Sequence, residues 1–293
     1  MRIGYFILGL TLAAMARAQY LGVEDINALP SAPADVRYAY GKARQQFGEL
    51  RLPKAPGRHA VAVILHGGCW VERYADIRNT AALADALRGE GIATWNVEYR
   101  REDEAGGGWP GTLLDAAQAI DALRELAKRY PLDLSRVVAI GHSAGAQLAL
   151  WAAGRHRLPR SSVLYAADPL PIKGVLALGA IADLARFNEQ EVDVCGEPVV
   201  TRLMGGSPKS VPERYAQGSP RQLLPLGVRQ ILVTAVHDFV ESPAEGSLYV
   251  EAARAGGDKA EQRVVRNASH FEYLSPESVA WPMVRGAVFD LIK

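Results

Sequence analysis

Continuous apolar runs of four to six residues recur along the chain. Residues 60–65 (Ala-Val-Ala-Val-Ile-Leu) and 137–140 (Val-Val-Ala-Ile) are apolar at every position, as is 175–178 within 173–180. Residues 92–97 and 231–236 are nearly so. Runs this short and unbroken predict strands buried on both faces. Residues 47–52 alternate instead (Phe-Gly-Glu-Leu-Arg-Leu) and predict an amphipathic strand. A last strand is expected over 262–265. Between these runs the apolar period changes to that of a helix. One helix is expected over 80–87, closed by Gly89 and Gly91. A long amphipathic helix is expected over 112–129, with Leu113, Leu114, Ala117, Ile120 and Leu123 on one face and Pro131 as its stop. Helices are also expected over 247–255 and 278–292. Strands alternating with helices predict an α/β fold, a mostly parallel central sheet with helices on both faces. Residues 181–226 break the rhythm with Gly205-Gly206 and prolines at 198, 208, 212, 220 and 225. They read as an excursion between core strands that roofs the site.

Composition narrows the function classes. The chain has 293 residues, 49% apolar and 22% charged, with a net charge of +1. This is the balance of a globular domain with an adequate core. No charge excess or basic run calls for nucleic acid. The N-terminus stands apart. Met1-Arg2 is followed by a mostly apolar stretch over 3–14 and by Ala16-Arg17-Ala18, an A-x-A pattern. This predicts a secretory signal peptide over 1–18, cut after Ala18, and a secreted or periplasmic mature protein. The apolar stretch is too short for a membrane span. Residues 19–45 read as a leader segment packed on the surface, and 46–293 as a single catalytic-type domain. Cys69 and Cys195 are the two cysteines. They are read as small buried apolar residues unless the fold brings them close enough to pair.

The chemistry concentrates at Gly141-His142-Ser143-Ala144-Gly145, a Gly-x-Ser-x-Gly pentapeptide that follows the 137–140 run and precedes a helix-compatible stretch. A strand turning sharply into a helix lifts a serine hydroxyl above the sheet edge in a strained conformation. A serine hydroxyl needs a base. His270 is the candidate, in a polar turn just past the last expected strand. His142 is expected to shape the turn, and His66 belongs to another motif. His59, His156 and His237 lie in weaker contexts. Asp238, just past the 231–236 strand, is the candidate carboxylate that holds the histidine's tautomer, with Glu241 and Asp183 as rivals. The chain order serine, acid, histidine is the one this architecture needs. His66-Gly67-Gly68-Cys69-Trp70 leaves the strand ending at Leu65. Its glycines free backbone N–H groups to face a developing oxyanion. Gly67, Gly68 or Cys69 would supply one donor and Ala144 the second. Trp70 and Trp109 are candidates for the substrate pocket.

In this order, the His66–Trp70 loop, the Gly141–Gly145 pentapeptide, Asp238 and His270 resemble the α/β-hydrolase superfamily. The His-Gly-Gly-x-Trp loop and Glu98-Tyr99-Arg100 are similar to those of kynurenine formamidase-like and small carboxylesterase-like serine hydrolases. Family members usually carry His-Gly where Thr234-Ala235 stands here, and Val-Pro after the acid, where this chain has Phe239-Val240-Glu241. The resemblance implies Ser143 as nucleophile, His270 as base, Asp238 as acid, and the Gly67–Cys69 loop with Ala144 as oxyanion hole. It implies hydrolysis of a small-molecule ester through an acyl-enzyme, without metal or organic cofactor. The alternatives are an amidase or aryl-formamidase on the same triad, and a non-catalytic binding protein of the same fold.

Overall fold

A computed structural model describes residues 20–293, so the expected signal peptide lies outside the described residues. Eight strands form one sheet in the order β1-β2-β4-β3-β5-β6-β7-β8. They are β1 (Val36–Ala39), β2 (Phe47–Arg51), β3 (His59–Leu65), β4 (Ala93–Val97), β5 (Leu132–His142), β6 (Gly174–Leu178), β7 (Arg229–Ala235) and β8 (Ala260–Val265). β1, β2 and β4 pair antiparallel, and every pairing from β4 across to β8 is parallel. This is the fold class the apolar runs predict.

The pleat explains why those runs carry no polar face. Along β3, Val61, Val63 and Leu65 enter one core layer, and Ala62 and Ile64 enter the other. Successive side chains point to opposite faces, so a strand covered on both sides must be apolar throughout. The first layer is closed by α3 (Gly111–Asp121), α4 (Leu123–Leu126), α5 (Ala144–Gly154) and α10 (Pro243–Ala255). The second is closed by α2 (Ala81–Gly89) and α11 (Trp281–Ile292). α1 (Val23–Asn27) anchors Ile26 in the second layer.

Two expectations are corrected, and the expected excursion is found. The long helix expected over 112–129 is two helices, α3 and α4, separated at Ala122. The segment 19–45 is not only a surface leader, because β1 adds an edge strand to the sheet. Its alternating residues are half-buried and exposed, and an edge strand with one wet face shows no continuous apolar run. The excursion is built from short helices, α6 (Leu184–Phe187), α7 (Glu191–Cys195), α8 (Val199–Met204) and α9 (Pro212–Gly218). It lies over α5, where the Trp151 indole N–H donates to Gln217 O and the Gln147 amide to Gly218 O. All eleven residues of α5 are therefore buried.

Candidate active site

The parallel strands run the same way, so the segments leaving β3, β5, β7 and β8 gather at one edge of the sheet. Loops beyond the carboxyl ends of parallel strands are where α/β sheets bind ligands. Gly67, Gly68, Cys69, Trp70, Ser143, Ala144, Asp238 and His270 lie on these four segments, whereas Trp109 and the rival acid Asp183 do not.

Ser143 stands between β5 and α5 with φ 55 and ψ −120. Its N–H donates to Leu178 O of the adjacent strand at 2.8 Å, which pins the elbow to the sheet. A non-glycine residue in this region is strained by about 1–3 kcal/mol. The flanking glycines are required by contact. A Cβ at Gly145 would lie 2.2 Å from Leu65 O, and one at Gly141 would lie 2.1 Å from Gly145 O. His142 lies beside His270, with ring centroids 4.5 Å apart. Its Nε2 donates to His270 O at 2.8 Å, which leaves Nδ1 buried without a partner. Burial first, then the neighbouring His270, pushes this imidazole down to about 3, so His142 is neutral and serves the turn.

His270 follows β8 and faces Asp238, which follows β7. Its Nδ1 lies 2.9 Å from Asp238 Oδ1 and 3.1 Å from Oδ2. The carboxylate is held on every side. Val240 N–H and Glu241 N–H donate to Oδ1 at 2.8 and 3.1 Å, and the Tyr273 hydroxyl donates to Oδ2 at 2.8 Å. Burial acts to raise the Asp238 carboxyl, but His270 and these N–H donors outweigh it and hold it below the ordinary carboxylate value. Nδ1–H is thereby fixed as the donor, and Nε2 is the nitrogen left to accept a proton. Among the described residues no hydrogen bond joins Nε2 to Ser143 Oγ, but both residues line the same cleft. Gly179, at φ 52, was not singled out from the sequence. A Cβ there would lie 2.8 Å from Asp238 Oδ2 and 3.0 Å from His270 Nδ1, so its bare backbone makes room for the pair. The rival acids do other work. Asp183 caps α6 by accepting from Ala185 and Arg186 N–H. Glu241 is buried away from His270, and burial, then the charge of Asp238, pushes its carboxyl well up.

The loop after β3 arches over the elbow. A Cβ on Gly67 would lie 3.1 Å from Ser143 Cβ. Gly68, Cys69 and Trp70 all have positive φ, at 98, 49 and 56. Among the described residues the N–H groups of Gly68, Cys69 and Ala144 have no acceptor. A buried polar cluster sets the root of this loop. His66 Nδ1 lies 2.8 Å from Gly67 O and Nε2 lies 3.1 Å from Glu98 Oε1. Arg101 donates to Glu98 Oε1 at 3.0 Å, and the Tyr99 hydroxyl donates to His66 O at 2.8 Å. Burial acts to raise Glu98, but His66, Arg101 and Ile77 N–H outweigh it and lower its pKa.

Ser143, His142, His270, Gly68 and Cys69 line an open cleft of about 590 Å³. Its other walls are mostly apolar, with Val23, Tyr74, Ala75, Val194, Phe239 and Phe271 among them. Phe239 is 60% exposed at the rim and its ring lies 5.2 Å from that of His270. Trp70 and Trp109, expected to line the pocket, do not. Trp70 is fully buried under α5, where its indole N–H donates to Gln147 Oε1 at 3.2 Å. Trp109 packs partly buried against the core beside Gly218 and takes no part in the cleft wall. Both aromatic rings are spent on packing, and short-range context in the sequence does not distinguish a wall from a core. The cysteines are not independent apolar residues. Cys69 and Cys195 form a disulfide, with Cα atoms 6.3 Å apart.

No curated protein matches the chain by sequence. Several solved structures match its fold. Esterase B from Lactobacillus rhamnosis superposes with a TM-score of 0.75 at 18% identity, covering 92% of this chain and 88% of that one. A truncated carbohydrate esterase from gut microbiota gives 0.73 at 19% identity, covering 88% and 98%. Esterase 2 of Thermogutta terrifontis, phosphorylated by paraoxon, gives 0.67 at 19%, covering 89% and 93%. At these identities the likeness shows the α/β-hydrolase fold. The sequence model of the BD-FAE family matches residues 49–230, a span that holds the Gly67–Cys69 loop and Ser143 and stops short of Asp238 and His270. The chain therefore belongs to the BD-FAE family, on an α/β-hydrolase fold.

Proposed function

We propose that this protein is a serine hydrolase that cleaves a carboxylic ester of a small or medium-sized substrate. One observation carries the reading. A serine in a strained strand-to-helix elbow shares a cleft with an imidazole whose far nitrogen is fixed by a buried carboxylate. His270 Nε2 takes the Ser143 hydroxyl proton as Oγ bonds to the ester carbonyl carbon. The carbonyl oxygen becomes an oxyanion facing the N–H groups of Cys69 and Ala144. Its collapse breaks the bond to the alkoxy oxygen, and His270 returns the proton to the departing alcohol. Water then attacks the acyl-enzyme by the same route and frees the acid. The apolar walls favour an acyl or alcohol part with little charge. The esterase names printed for the structural neighbours agree with this chemistry.

We also infer export. We take residues 1–18 as a signal peptide and 46–293 as the hydrolase domain, and the disulfide suits an oxidising compartment. Activity is tested with nitrophenyl acetate and butyrate beside a panel of anilides and formanilides. Ester turnover should exceed amide turnover, and Ser143→Ala should lower kcat by about 10⁴-fold or more. Faster cleavage of formanilides than of esters would replace the esterase reading with an amidase. No turnover of either would favour a binding protein.

A further inference from the structure

We propose that Cys195 is a positioning residue for catalysis, acting through its disulfide to Cys69 to hold an oxyanion donor in place. The proposal rests on the hydrolase reading above and extends it to the control of that site.

Cys69 is not a remote staple point. It lies in the loop over Ser143, its N–H has no acceptor among the described residues, and both it and Cys195 line that cleft. Its backbone is held at φ 49, followed by Trp70 at φ 56, two successive non-glycine residues in the left-handed region. Such a conformation persists only where its surroundings enforce it. Within the loop, Val71 N–H donates to Gly68 O at 2.9 Å and closes the turn that carries Cys69 and Trp70, and two attachments hold that turn from outside. On one side Trp70 is locked into the core, with its carbonyl accepting from Glu102 N–H at 2.8 Å. On the other side the disulfide binds Cys69 to the end of α7, 126 residues further on.

The far anchor is rigid, which lets the bond transmit a position. The Glu191 carboxylate, at the start of α7, accepts from Thr201 N–H and Oγ1, from Asn188 and from Val200 N–H. It thus caps α8 and fuses α7 to it. The Tyr74 hydroxyl donates to Cys195 O at 2.8 Å. Glu197 pairs with Arg202 and with Arg73, and Arg202 also reaches Glu102. The α7–α8 unit is therefore bound to the segments leaving β3 and β4, and the disulfide adds its one covalent tie to the oxyanion loop.

A dithiol reductant such as dithiothreitol would break the Sγ–Sγ bond. Two electrons and two protons pass to the cysteines, giving two thiols, and the reductant closes into its own cyclic disulfide. The Cys69 N–H then loses its one covalent restraint to the α7–α8 unit. Removing an oxyanion donor outright costs about 10²–10³ in turnover. A loosened donor should cost about tenfold or more in kcat with KM nearly unchanged, because the donor acts on the transition state and not on the bound ester.

The test compares the oxidised protein, the protein reduced by dithiothreitol and Cys195→Ser on nitrophenyl butyrate, with near-ultraviolet circular dichroism to check that each is folded at the assay temperature. The proposal expects kcat to fall at least tenfold in both altered forms, KM to move less than threefold, and reoxidation to restore the reduced sample. Equal kcat in oxidised and reduced protein overturns the proposal and leaves the hydrolase reading standing. No hydrolysis by the oxidised protein overturns both. If reduction unfolds the chain, Glu191→Ala in oxidised protein loosens the anchor with the bond intact. A several-fold loss of kcat at constant KM then supports the proposal, and unchanged kcat overturns it.

Discussion

His142 shows how much the identity of one residue decides at the elbow. It is adjacent to Ser143, yet its Nε2–H is committed to His270 O and its Nδ1 is sealed from water. A charged imidazole there would be buried without a counter-ion, so it stays neutral down to about pH 3. The unfolded chain takes up that proton near pH 6.5. Between the two values the unfolded state binds a proton that the folded state refuses, so stability falls as pH drops from about 6.5 towards 3, by up to about 1.4 kcal/mol per pH unit. Replacing His142 with Gln keeps an N–H donor and removes the titration. Urea unfolding at pH 7 and pH 5 should show the wild type losing about 2 kcal/mol more than His142→Gln between the two conditions. Equal losses would place the acid sensitivity elsewhere. The sequence reading gives His142 the role of shaping the turn, and its bond to His270 O agrees with that role.

At the scale of elements, legibility followed burial. β3 and β5 were readable because both faces are covered, and β2 because it alternates. β1 was not, since four residues with one wet face resemble any polar segment. The loop after β3 was legible as a Gly-Gly turn, but its support was not. His66 leaves β3 while Glu98 and Arg101 leave β4, and only the pairing of β3 with β4 brings them together. Glu98 lies at the centre of this support, accepting also from Ile77 N–H at 3.0 Å. Glu98→Gln removes one charge from a buried set and leaves Arg101 and His66 with poorer partners. Breaking such a set costs about 3–5 kcal/mol, so the variant should unfold at correspondingly lower urea concentration and show reduced kcat through the displaced loop. A variant with wild-type stability would contradict the role given to this cluster.

Across the whole molecule, one sheet edge collects what the chain scatters. Ser143 and Asp238 each follow an apolar run and His270 follows the mixed strand β8, and parallel strands deliver their following loops to the same side. Their order along the chain carried the fold, while the BD-FAE family came only from matching residues 49–230. The Cys69–Cys195 bond was out of reach for the opposite reason, since the excursion that returns Cys195 to the cleft has no repeating pattern. The tryptophans misled because an indole looks the same in a wall and in a core, and both pack inward here. The central claim is that Ser143 is the nucleophile of this converged site. The most direct measurement is peptide mapping by mass spectrometry after a fluorophosphonate reacts with the folded protein. The account predicts one phosphonyl adduct, on the peptide carrying Ser143, absent after heat denaturation and absent in Ser143→Ala. An unmodified folded protein, or an adduct on another residue, would contradict it.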